Sequence, residues 1–148
     1  MTDEIFMRRA LELAEEAADA GEVPVGCVIV REGKILAEGR NRREADKNAL
    51  AHAEIEAIDK ACRALGGWRL TGCTLYVTLE PCPMCAGAIV NARLPRVVYG
   101  AKDARAGAMG SLLNVNSYPL NHHADVQCGL LADECVQILR DFFRKRRK

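Results

Sequence analysis

The stretch from Thr74 to Tyr99 constrains the fold more than any other part of the chain. Thr74-Leu75-Tyr76-Val77-Thr78-Leu79 is a β-branched and apolar run of strand length. It leads straight into Glu80-Pro81-Cys82-Pro83-Met84-Cys85. Pro83 suits the first position of a helix, where an N–H would lack a partner anyway, and Ala86, Ile89 and Val90 continue one apolar side of that helix. Arg96-Val97-Val98-Tyr99 then reads as a second strand. Strand, helix and strand at this spacing imply parallel pairing through a right-handed crossover. Open α/β sheets place their sites at the carboxyl ends of such strands, which is where Cys82 and Cys85 fall.

The flanking segments extend this unit to a sheet of about five strands. Thr2 suits a helix cap, with Asp3 and Glu4 in the first turn and Phe6, Ala10, Leu13, Ala14 and Ala17 as an apolar stripe up to Gly21. Val25 to Val30 is a continuous apolar run typical of a central strand, and Arg31-Glu32-Gly33-Lys34 turns it back into Ile35-Leu36-Ala37 as a hairpin. Arg40 to Ala49 is polar and predicts a loop. After His52, the residues Ile55, Ile58, Cys62 and Leu65 mark a helix that Gly66-Gly67 ends. Ala101 to Asp125 shows no sustained periodicity, and a loop of that length inside a domain is usually functional or disordered. Val126-Gln127-Cys128 predicts a short last strand, and Cys135, Ile138, Leu139, Phe142 and Phe143 a final helix. The expected architecture is a three-layer α/β/α domain with a mixed sheet, in which the helices after His52 and Cys82 lie side by side. A chain of 148 residues is long enough for one substantial core, and without repeats or linkers residues 1–148 read as a single domain.

Composition narrows the setting. No apolar run approaches the roughly 18 residues of a membrane span, and Asp3 and Glu4 do not belong in a secretory signal, so a soluble, cytoplasmic protein is expected. Seven cysteines are an odd number, and the only close pair has metal-ligand spacing, which points to reduced thiols. Cys27, Cys62, Cys73, Cys128 and Cys135 sit in apolar contexts and are expected to be buried. Residues 140–148 carry six basic side chains against Asp141, and the rest of the chain is net acidic. A concentrated basic end on an acidic body suggests a polyanionic partner, although cations at a helix C-terminus also favour the helix dipole.

Cys82 and Cys85 are three residues apart, a separation at which two side chains at a helix start share one face, and a thiolate pair there suits zinc. His52 can supply an imidazole as third ligand. Structural zinc sites close with four protein ligands, whereas three leave a position for water, and Glu54 is the obvious base for that water. His52 and Glu54, two apart, would diverge in mid-helix but can flank an object lying over a helix start. The arrangement inferred is one zinc ion held between two helix N-termini, whose unpaired N–H groups favour thiolates.

His52-Ala53-Glu54 with Pro81-Cys82-Pro83-Met84-Cys85 resembles the zinc-dependent nucleoside and nucleobase deaminase superfamily. Glu22-Val23-Pro24-Val25-Gly26, Thr78-Leu79-Glu80-Pro81-Cys82, Cys85-Ala86-Gly87-Ala88, Gly100-Ala101-Lys102-Asp103-Ala104-Arg105 and Asp141-Phe142-Phe143-Arg144 narrow the resemblance to the bacterial tRNA-specific adenosine deaminases, over nearly the whole chain. Arg105 departs from the lysine more usual there, and the two cations are not interchangeable at an RNA contact. The resemblance implies a cytidine deaminase-like fold, one zinc ion per subunit held by His52, Cys82 and Cys85, and a homodimer acting on a tRNA anticodon stem-loop. It implies hydrolytic conversion of the wobble adenosine to inosine, with Glu54 as proton shuttle, Asn41 bonded to the base and Asp103 beside the ribose and backbone. No organic cofactor and no membrane are implied.

Two alternatives share the residues. One is a deaminase of a free base or nucleoside, of guanine or cytosine type. The other is a non-catalytic RNA-binding module with structural zinc, which would need a fourth ligand from the other cysteines or the loop histidines. His122 and His123, being adjacent, are assigned to the loop rather than to a second metal, with RNA contact an open role. Trp68 is expected to be a packing residue, and Arg144 to Lys148 to touch phosphates of the tRNA stem.

Overall fold

In the computed structural model, which describes residues 2–146, the sheet is built around a strand buried along five of its six residues, β1 (Gly26–Arg31). A strand covered on both faces must be apolar on both, which is why Val25 to Val30 lacks alternation. It pairs antiparallel with β2 (Lys34–Arg40) through a tight turn in which Glu32 and Gly33 both have positive φ, 53° and 74°. Two consecutive positive φ values match the twist of the hairpin. β3 (Cys73–Leu79) lies antiparallel on the other side of β1. β4 (Arg96–Ala101) and β5 (Asp125–Cys128) follow in parallel. The order β2-β1-β3-β4-β5 is a mixed five-stranded sheet, as expected.

Alternate residues of the central strands supply the two cores. Val28, Val30, Tyr76 and Val98 pack against Phe6, Met7, Ala10 and Leu13 of α1 (Asp3–Asp19) and against Cys135 of α5 (Ala132–Arg146). Cys27, Ile29, Leu75, Val77, Val97 and Tyr99 face the opposite layer, made by α3 (Ala53–Leu65) and α4 (Pro83–Asn91). The two helices that begin at His52 and Cys82 touch each other on that face.

The helices approach the sheet closely. A Cβ on Gly26 would lie 1.9 Å from the Ala10 carbonyl oxygen, and one on Gly39 would lie 2.3 Å from that of Ala53. Such proximity admits only small residues. The apolar residues that α3 buries are therefore Ala53, Ala57 and Ala61, with Glu54 the one buried polar residue, whereas the stripe Ile55, Ile58, Cys62 and Leu65 is only half-buried at its margin. Burial follows the space under the helix, not the size of the apolar side chain.

Other expectations are corrected. Thr2 stands at the cap of α1 with extended backbone, but its hydroxyl makes no capping bond. The polar stretch Arg40 to Ala49 contains a helical turn, α2 (Arg43–Asp46), whose Glu44 and Ala45 N–H groups donate to the buried Glu22 carboxylate at 3.1 and 2.9 Å. All seven cysteines are free, and Cys27, Cys73 and Cys135 are buried, but Cys62 is half-buried and Cys128 exposed at the sheet edge. In α5 Phe142 is buried while Phe143 is 45% exposed. Trp68 is 54% exposed, stacked with the guanidinium of Arg69 at 4.6 Å and near that of Arg93, rather than packed. Of the basic end, Arg147 and Lys148 lie outside the described residues. Among those described, no helix is long and apolar enough to cross a membrane.

Candidate metal centre

β3 ends at Leu79, and Glu80-Pro81 carries the chain into Cys82, the cap residue of α4. Pro83 occupies the first helical position, so Cys85 falls at the third and shares the face of Cys82. His52 is the cap residue of α3, with extended backbone (φ −87°, ψ 154°), and aims its imidazole sideways rather than capping its own helix. Asn41 does the capping instead. Its Oδ1 accepts the Ala53 N–H at 2.9 Å while its Nδ2 donates to the Val23 carbonyl at 3.1 Å, so Asn41 is buried against the start of α3.

The two helix starts bring His52, Cys82 and Cys85 together. Their ligand atoms lie within 4.8 Å of one another, with His52 Nδ1 3.6 Å from Cys82 Sγ and 3.5 Å from Cys85 Sγ. A sulfur ~2.3 Å and a nitrogen ~2.0 Å from one tetrahedral zinc would be separated by about 3.5 Å. The donor set therefore fits that ion in both chemistry and spacing. Among the described residues no further His, Cys, Asp or Glu ligand atom joins the cluster, so the fourth ligand of a structural zinc site is missing there. His122 and His123 are used elsewhere: their Nε2 atoms bond the carbonyls of Leu94, at 2.6 Å, and Tyr118, at 2.7 Å.

The hydrogen bond shared by Cys82 and Cys85, with the His52 ring beside it, lowers Cys82 to about 4 and pushes Cys85 up, and the bond to Cys82 raises His52. Glu54, one residue into α3 beyond Ala53, is 4% exposed, and burial raises its carboxyl to about 7. A buried carboxyl that exchanges its proton near neutrality, beside a three-ligand cluster, is equipped to move protons for a water or substrate at that cluster.

Asp103 lies past the end of β4, its Oδ1 accepting the N–H groups of Arg105 and Ala106 at 3.0 and 3.2 Å. With Lys102 and Arg105 it forms one wall of a groove of about 790 Å³, whose other wall is α5, with Arg140, Phe143 and Arg144. Sequence reasoning missed the role of Glu80. This carboxylate, 2% exposed, takes hydrogen bonds from Asp103, Met109 and Ser111 of the loop after β4. Burial alone would raise it, but those bonds hold it below the ordinary carboxylate range. The one available signal was an acidic residue lodged between an apolar strand and Pro81.

A family model described as MafB19-like deaminase matches residues 1–147. A tRNA-specific adenosine deaminase of Bacillus subtilis (strain 168) is 50% identical over 147 residues, covering 99% of this chain and 91% of that protein. One from Haemophilus influenzae is 47% identical over 148 residues, covering 99% and 86%. A solved structure from work on A-to-I editing by tRNA:A34 deaminases at the wobble position superposes with a TM-score of 0.89 at 46% identity, over 91% of this chain and 99% of that one. A guanine deaminase from Nitrosomonas europaea superposes at 0.81 with 27% identity, over 95% and 84%. Identity near one half along almost the full length, with the same fold, separates the first three from the last: the chain belongs to the tRNA-specific adenosine deaminase family of MafB19-like deaminases.

Proposed function

We propose that the protein hydrolyses the wobble adenosine of a tRNA anticodon to inosine, with one zinc ion held by His52, Cys82 and Cys85. The observation that carries the chemistry is the buried Glu54 carboxyl beside a cluster of three ligands. When bound, the ion supplies Lewis acidity that makes a water nucleophilic near neutral pH. Glu54 takes a proton from that water and gives it to N1 as oxygen adds to C6, then moves the proton of the new C6 hydroxyl to the amino group, so that the C–N bond breaks, ammonia leaves and the C6 carbonyl of inosine remains. Its position near pH 7 lets it perform both transfers. Asn41, held by Val23 and Ala53, keeps one lone pair and one N–H for the base. Asp103 is available to accept a hydrogen bond from a ribose 2′-hydroxyl, and the cationic groove beside it suits the phosphates of a splayed loop. We assign a homodimer and a cytoplasmic location on the strength of the same family membership. Val90, half-buried and outside the core cluster, suits a dimer interface better than Ile89, which the core consumes.

The test is inosine formation on an RNA stem-loop with adenosine at the wobble position, run beside free adenosine, cytosine and guanine, with and without a chelator. Turnover of the RNA alone, abolished by the chelator, is the expected result. Turnover of a free base with silent RNA would overturn the substrate while keeping the site.

A further inference from the structure

We infer that Glu80 is a positioning residue for the RNA substrate, setting the loop that carries Asp103 and Arg105 against the metal ligands. The inference rests on the reading of function above and concerns a residue outside its chemistry. Glu80 stands two residues before Cys82, and both of its carboxylate oxygens are engaged. Oε1 accepts the Asp103 N–H at 3.1 Å and the Ser111 hydroxyl, while Oε2 accepts the N–H groups of Met109 and Ser111 at 3.0 and 3.1 Å. The backbone on either side joins in. Glu80 N–H donates to the Ala101 carbonyl at 2.9 Å, and Ala108 N–H donates to that of Pro81 at 2.9 Å. A loop whose only regular pieces are a short 3-10 helix (Val115–Ser117) and one bridge between Met109 and Asn114 is thus drawn from several points onto the two residues that lead into Cys82.

The packing around the carboxylate leaves no slack. A Cβ on Gly107 would lie 2.4 Å from Glu80 Cδ and 2.5 Å from Oε2, so the loop backbone crosses the carboxylate at a distance only glycine permits. Buried charge with four donors is stable in one arrangement and costly to leave partly satisfied. Removing one acceptor should therefore release Asp103 as well as Met109 and Ser111. Asp103 in turn organises its own neighbours through Arg105 and Ala106, so the shift would pass to the wall of the cationic groove.

The experiment compares wild type, Glu80→Gln, Asp103→Ala and the double variant for kcat, KM and zinc content on the RNA stem-loop. Glu80→Gln keeps the size but turns one acceptor into a donor facing N–H groups. The expected result is a KM raised roughly tenfold or more with kcat within about threefold and zinc still at one per chain. The Asp103→Ala variant keeps the backbone N–H that Glu80 holds but removes the carboxylate this bond places, so most of that effect should vanish in its background. An unchanged KM, or fully additive effects, would overturn the inference. If Glu80→Gln does not fold, Gly107→Ala presses a methyl group against both the Glu80 carboxylate and the Asp103 carbonyl that it positions, and should give the same rise in KM. A wild type silent on RNA would overturn the functional reading and the substrate half of this inference with it. Amide exchange at Met109 and Ser111 in Glu80→Gln would still decide the anchoring, since retained protection refutes it.

Discussion

Glu54 sits in the first turn of α3, where the helix dipole favours the ionised carboxylate, yet burial outweighs that preference and lifts its titration to about 7. Glu54→Gln preserves shape and burial while removing the exchangeable proton. Its zinc content should stay at one per chain and its kcat fall by about 10²- to 10⁴-fold, read by metal analysis beside a single-turnover assay. An unimpaired rate would remove Glu54 from proton transfer. Asp3 shows the opposite shift: Arg96 at 2.6 Å, helped by Tyr76, lowers its carboxyl from 3.8 to about 2. A carboxyl more acidic in the folded state stabilises it above the unfolded value, and that stabilisation disappears as pH falls through about 2. The Asp3 side chain is 38% exposed, so solvent screening leaves an effect of about 1 kcal/mol. Asp3→Asn should lose that amount at pH 7 in urea denaturation and match wild type near pH 2.

At the scale of elements, the close seat of α3 on β2 governs where the His52, Cys82 and Cys85 cluster stands, because His52 begins that helix. Gly39→Ala would press a methyl group into the Ala53 carbonyl and should cost about 1–3 kcal/mol in denaturation, with looser zinc binding as the helix start moves. The strand–Cys82–helix–strand unit and the helix after His52 were legible because periodicity, Pro83 and the terminal glycines are local signals. Which face of α3 is buried was not. Apolar size marked Ile55, Ile58, Cys62 and Leu65, whereas the glycine that decides the approach lies on another element. Glu22 and Glu80 escaped for a related reason. Their partners are backbone N–H groups 22 to 31 residues further along, and backbone donors leave no trace in residue type. The clustering of His52, Cys82 and Cys85 was legible because imidazole and thiol ligands at that spacing leave a trace in residue type.

Over the whole molecule, cations concentrate at one end: Arg140 and Arg144 on α5 face Lys102 and Arg105 across the groove, Lys145 to Lys148 follow, and the chain before Arg140 is net acidic. Deleting residues 144–148 should weaken RNA binding and reduce the slope of log K against log salt by about 0.7 for each single-strand phosphate that is no longer neutralised. Identical slopes would remove those side chains from the interface. Sedimentation across a concentration series should show a dimer, and a monomer throughout would refute that assignment. Trp68 carries a practical corollary. The one indole of the protein is already half in water and beside two guanidinium groups in the native state. Its emission therefore starts out solvent-like and will shift little when the sheet melts. Fluorescence will look silent through a transition that circular dichroism records in full, and the same indole becomes a local reporter for whatever touches the far end of α3.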